Sequence, residues 1–191
     1  MVDVLVIFGP NLNMLGTREP EIYGADSMAD IMGALSDQAV DLGRRIEMMQ
    51  SNDEGVLVTA IQKARSDAAA ILFNLAAYTH TSVALRDALA MFDGPKVEVH
   101  LSNNDRRETF RQVSLTAGVS DGSIVGFGAD SFRLGLDAVH RLLLRREGAG
   151  AIRQIRGGDI GWPRIFVMWP LLALAAWAPC LALYSAKVVW R

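Results

Sequence analysis

The chain has 191 residues, with 19 Lys and Arg against 21 Asp and Glu and a single Cys. That length holds one well-cored domain plus an appendage, and the net charge of −2 supplies no broad basic field for a nucleic-acid partner. One Cys excludes an intramolecular disulfide and every multi-Cys zinc pattern, as expected of a reduced, cytoplasmic chain.

The first apolar run, Val2 to Phe8, lacks a basic leader and a small-residue cleavage pattern, so it reads as a strand buried on both faces. A helix opens at the Ser27-x-x-Asp30 capping signal, carries Ile31, Leu35, Ala39 and Leu42 on one face, and stops at Gly43. Arg45 to Met49 forms the second strand. Leu57, Val58, Ile61 and Ala64 mark the next helix, and Ala68 to Phe73 the third strand. Val83, Leu85, Leu89 and Phe92 give a helix that Gly94-Pro95 ends. Lys96 to Leu101 and Ser123 to Phe127 are the last strands, Ser131 to Arg146 the closing helix, and Thr109 to Val113 a short helix or turn. This alternation predicts an α/β fold with a five-stranded parallel sheet and helices on both faces.

In such sheets ligands bind outside the carboxyl ends of the strands. The loops to inspect are Gly9 to Gly24, Asn74 to Ser82 and the stretch from His100 to Asn103. Taken singly, Asn11 and Asn74 suit turns, His80 suits a helix cap and Tyr23 a packing aromatic. Glu98 and His100 say more: residues two apart share a strand face, where a carboxylate orients and charges an imidazole, giving a usable acid. Arg18 beside Tyr23 would favour a phenolate, a usable base. Together these groups point to proton transfer at a small polar substrate.

The segments Gly9-Pro10-Asn11-Leu12-Asn13, Gly16 to Gly24, Gln50-Ser51-Asn52, Ala77 to Ser82 and Glu98 to Asn103 closely resemble type II 3-dehydroquinate dehydratase, in order from Val2 to about Arg146. The resemblance implies a flavodoxin-like fold and dehydration of 3-dehydroquinate to 3-dehydroshikimate through an enolate, in the shikimate or quinate pathway, with no metal or organic cofactor. It also implies a homododecamer built from trimers. By it, Tyr23 is the base at C2, Arg18 holds it as phenolate, His100 protonates the departing C1 hydroxyl, Glu98 orients His100, and Asn11 helps to hold a water. Asn74 and the backbone of Leu101 and Ser102 would bind the carboxylate region, His80 and Arg111 the ring hydroxyls, and Asp87 would reach a site across a subunit contact. The chain departs from the family pattern at Phe8, at Leu75-Ala76 where Pro-Gly is usual, at Asp53 where His is usual, and at Asn104 to Arg107. Ala76 in place of Gly matters if that position takes a positive φ.

Two other readings stay open on sequence grounds: a catalytically weak homologue that binds a cyclic polyol acid or phosphate ligand at a membrane, and a flavodoxin-like FMN module. No phosphate-loop or His-Glu-x-x-His motif occurs, and His140 is expected at the surface. The expected organisation is a catalytic domain over 1–146, a Gly/Arg linker over 147–164 and a hydrophobic tail over 165–187. Within the tail, residues 165–184 run for 20 residues without a charge, the length of a bilayer span. Trp162, Trp169 and Trp190 lie towards its ends, and five Arg precede it against Lys187 and Arg191 after it. The tail is read as a membrane-prone tether. The alternatives are a segment packed on the oligomer and a product of an altered reading frame.

Overall fold

The computed structural model describes residues 1–17 and 25–157, with side chains as far as 149. Five strands form one sheet: β1 (Val2–Phe8), β2 (Ile46–Gln50), β3 (Ala68–Asn74), β4 (Lys96–His100) and β5 (Gly122–Val125). Their order is β2-β1-β3-β4-β5 and every pairing is parallel. The helices are α1 (Met28–Asp41), α2 (Glu54–Asp67), the single turn α3 (Tyr78–Thr81), α4 (Val83–Ala90) and α5 (Asp130–Gly157). This is the five-stranded parallel sheet with helices on both faces that the alternation of elements predicts, in the flavodoxin-like form that the resemblance implies.

Strand β1 explains why both faces are covered. Val4, Val6 and Phe8 point to one side, where Ile31, Leu35 and Ala39 of α1 and Phe132, Leu136 and Val139 of α5 complete a core. Leu5 and Ile7 point to the other, against Leu57 and Ile61 of α2 and Leu85 and Leu89 of α4. A period of two thus divides a wholly apolar run between two cores. Phe8, which departs from the family pattern, stacks obliquely on Phe132 with ring centroids 4.8 Å apart. It serves the core.

The local signals act as the sequence suggests. Ser27 Oγ accepts from the Asp30 amide while the Asp30 carboxylate accepts from the Ser27 amide, closing the capping box of α1. Asp53 accepts from the Val56 amide at 3.0 Å, which gives α2 its N-cap.

Some boundaries differ. The fifth strand ends at Val125 instead of Phe127, because Gly126 takes φ 95° and turns its amide back to the His100 carbonyl. The open segment after β4 forms a short 3-10 turn at Thr109–Arg111. The last helix runs on to Gly157, through the Gly148-Ala149-Gly150 read as the start of a linker. Glu147 holds this extension to the domain: Arg44, only 12% exposed, meets its carboxylate in two bonds of 2.7 and 3.2 Å. His140 is half-buried, and its Nδ1 accepts from Arg44 Nε at 3.1 Å, so it is a packing partner and not an isolated surface residue. The tail over 165–187 lies outside the described residues, among which no helix is long and apolar enough to cross a membrane.

Candidate active site

The strand order reverses between β1 and β3, and a crevice opens there at the carboxyl ends of the strands. Its cavity volume is about 130 Å³. The loop after β1 contributes Pro10, Asn11, Leu12 and Leu15, and the chain after β3 contributes Ala76, Ala77 and His80 beside Asn74. From β4 onward come His100, Leu101, Ser102, Asn104, Arg107 and Arg111.

Two strained residues shape its rim. Asn11 sits at φ 66° with its amide bonded to Asn52 Oδ1 at 2.9 Å, and Ala76 sits at φ 50°. Glycine is the usual occupant of this left-handed region, so Ala76 carries the strain that its Cβ was expected to bring. Asn74, buried to 3% exposure, steadies that turn by accepting from the Ala76 amide at 2.9 Å. Because its carbonyl oxygen is thus used, its NH2 group is the end available to a ligand. Gly9 allows the two loops to meet: a Cβ there would lie 2.6 Å from the Leu75 backbone. The Gln50-Ser51-Asn52 segment also acts on this loop, since Gln50 Nε2 donates to the Gly9 carbonyl and to Asn52 Oδ1.

The acid pair lies on β4. His100 Nε2 is 3.0 Å from Glu98 Oε1, and the residues are 7% and 1% exposed. A buried carboxylate costs several kcal/mol unless it is fully bonded, and here hydroxyls surround it. Thr79 and Thr116 donate to Oε1 at 3.0 and 2.8 Å, Ser114 donates at 3.1–3.2 Å between both oxygens, and Ser123 approaches Oε2 at 3.4 Å. Burial pushes the Glu98 carboxyl up. The hydrogen bond and charge of His100, with the Thr116 and Thr79 hydroxyls, outweigh that effect and hold it below the ordinary carboxylate range. Glu98 is therefore an anion that fixes Nε2 of His100 and leaves Nδ1 as the nitrogen not committed to it.

His80 lies nearly parallel to His100, with ring centroids 6.4 Å apart. Its Nδ1 meets the Val113 carbonyl at 2.7 Å. A carbonyl only accepts, so Nδ1 carries a proton. Two guanidinium groups complete the polar wall. Arg111 is braced by Glu108 at 2.9 Å, and Arg107, 13% exposed, meets Glu108 and Ser102 at 3.5 Å. Their charge suits an anionic ligand.

The structure thus brings together Asn11, Asn74, His80, His100, Leu101, Ser102 and Arg111, with Glu98 directly behind His100. It does not bring Asp87 into this chain's own crevice: that residue is exposed on α4 and pairs with Arg86 at 2.8 Å. Arg18 and Tyr23 lie outside the described residues. The sequence reading missed Arg107 and Asn104, although both stand in a strand-end loop, where polar residues signal a site. It also missed Thr79, Ser114, Thr116 and Ser123, which touch only Glu98's side of the pair. Among the described residues no group of three or more His, Cys, Asp and Glu is gathered to hold a metal ion.

Comparison with known proteins agrees with this geometry. The family described as Dehydroquinase class II matches residues 2–140. A 3-dehydroquinate dehydratase from Geotalea daltonii is 58% identical over 138 residues, which is 72% of this chain and 96% of the relative. One from Synechocystis sp. is 55% identical, over 71% of this chain and 90% of the relative. Among solved structures, the type II dehydroquinase from Butyrivibrio crossotus superposes with a TM-score of 0.71 at 40% identity, over 72% of this chain and 97% of the other.

Proposed function

The chain belongs to the class II dehydroquinase family, and from that premise we propose how its residues dehydrate 3-dehydroquinate to 3-dehydroshikimate. The observation that carries the reading is the His100–Glu98 pair, buried at the head of a crevice whose polar wall includes two guanidinium groups. The C2 proton lies alpha to the C3 ketone, so its removal gives an enolate, and Tyr23, kept as a phenolate by Arg18, is the base. The enolate electrons form the C1–C2 double bond as the C1–O bond breaks. His100 gives its proton to that oxygen, and water leaves. Glu98 holds the imidazole in line and balances its charge before the transfer.

Asn11, which lines the crevice, would help to hold a water at the enolate oxygen. The Asn74 NH2 group, with the backbone of Leu101 and Ser102, receives the substrate carboxylate. His80 and Arg111 take the ring hydroxyls. Arg107 joins this set as a second cation near the carboxylate.

Asp87 is exposed on α4, in keeping with a role towards a neighbouring subunit, in a dodecamer of trimers. For the charge-free run 165–184 we propose a membrane-prone tether, which fractionation of cells between membrane and supernatant tests. Adding 3-dehydroquinate to the purified protein and following the ultraviolet absorbance of the conjugated enone tests the activity. His100→Ala should abolish that signal while a substrate analogue still binds, because the acid is needed only in the transition state. Loss of analogue binding with intact turnover at saturation would remove His100 from the acid role.

A further inference from the structure

The segment 113–116 touches His80 and the Glu98 carboxylate that pairs with His100, without lining the crevice. The Val113 carbonyl accepts a hydrogen bond from His80 Nδ1 at 2.7 Å. The Leu115 amide donates to the Thr79 carbonyl at 2.9 Å. The Ser114 and Thr116 hydroxyls both reach the Glu98 carboxylate. Ser114 Oγ is itself oriented, because it accepts from the Ala117 amide at 2.9 Å, which leaves its proton for Glu98. Thr116 is fully buried, as is Thr79, which reaches Glu98 from α3. A hydroxyl that is buried and aimed at an anion has no other role to offer than to stabilise the charged form.

We propose that Ser114 and Thr116 are positioning residues of the dehydration reaction, which hold Glu98 as the carboxylate that orients His100 for protonation of the leaving group. This rests on the assignment of His100 as the acid. The same strap takes the His80 Nδ1–H hydrogen bond, so one segment acts on both imidazoles, on His80 directly and on His100 through Glu98.

Every described group that faces Glu98 enters this balance. From β4 it is His100, from α3 Thr79, from the strap Ser114 and Thr116, and from β5 Ser123. Among these, only His100 carries a titrating group. Removing a donor shifts Glu98 towards its protonated form, which no longer favours the charged imidazole. The acid limb of kcat then moves to higher pH, while KM changes little because neither hydroxyl lines the crevice.

Thr116→Val keeps shape and deletes the hydroxyl, and Thr116→Ser restores a hydroxyl with less volume. We expect kcat to fall about 10-fold in Thr116→Val, the scale of a hydrogen bond to a charged group. KM should stay within about twofold, and Thr116→Ser should recover most of the loss. Ser114→Ala, at a half-buried and more tolerant position, should show the same direction. Nitrogen-15 NMR of histidine-labelled protein reads the pair without turnover: the His100 ring signals should titrate at a changed pH in both deletions and not in Thr116→Ser. Unchanged His100 titration and an unmoved acid limb in folded Thr116→Val and Ser114→Ala would overturn the proposal. A changed titration with wild-type kcat would overturn the assignment of His100 as the acid instead.

Discussion

Glu98→Gln replaces the buried carboxylate by a neutral group of the same shape, and its effect can be worked from the distances. The glutamine carbonyl can still accept from His100 Nε2, so the ring stays near its place, 3.0 Å away. What is lost is the charge. A hydrogen bond to a charged partner contributes about 1.5–3 kcal/mol more than its absence, and each 1.36 kcal/mol of barrier is tenfold in rate, so kcat should fall roughly 10- to 150-fold. Glu98 does not line the crevice, so KM should hold. Initial rates from the enone absorbance give both constants. The same variant has a second signature in stability. Because the folded-state carboxyl lies below its ordinary value, Glu98 contributes stability that is complete above that ordinary value and is lost as pH falls through the depressed one. Glu98→Gln should lack that component of acid unfolding, so the wild-type advantage in urea should be large at neutral pH and shrink on acidification. Wild-type kcat in a folded Glu98→Gln protein would refute the reasoning and leave Glu98 a structural carboxylate only.

Tyr23→Phe should lower turnover at least about 100-fold, the scale of losing a general base, with circular dichroism unchanged; near-normal turnover would exclude Tyr23. Ala76→Gly relieves a left-handed residue that costs about 1–2 kcal/mol, against about 0.4–1 kcal/mol of added freedom in the unfolded chain. It should therefore raise stability by up to about 1.6 kcal/mol, seen as a higher urea midpoint, and a lower midpoint would show that the turn is not strained. A chain ended after Gly157 should keep turnover and melting temperature, whereas one ended after Arg146 loses the Glu147 partner of Arg44 and should melt lower. Equal melting of the two would make that contact inconsequential.

The sheet was legible because its strands are buried on both faces, and continuous apolar runs such as Val2 to Phe8 have few other uses in a soluble fold. Helix starts were legible for a local reason: Ser27 and Asp30 satisfy each other within four residues. Helix and strand ends were less so. The end of β5 depends on Gly126 reaching back to His100, and the extension of α5 includes Glu147, which is held by Arg44. Neither contact leaves a trace within a short window of sequence.

The site divides in the same way. Glu98 and His100 are visible together because strand periodicity places residues two apart on one face, and their chemistry is distinctive. The hydroxyls that keep Glu98 charged were invisible. Thr79, Ser114, Thr116 and Ser123 come from three separate segments, and Ser and Thr are common in any loop or helix start. A residue type carries information only when its usual environment differs from the one the site requires. A carboxylate inside a core is unusual and calls for a reason, whereas a serine beside a turn does not, and only the fold reveals that its hydroxyl points at a buried charge. The anion is thus readable from the sequence and its stabilisation is not. The acid's operating range therefore depends on residues that a motif would pass over.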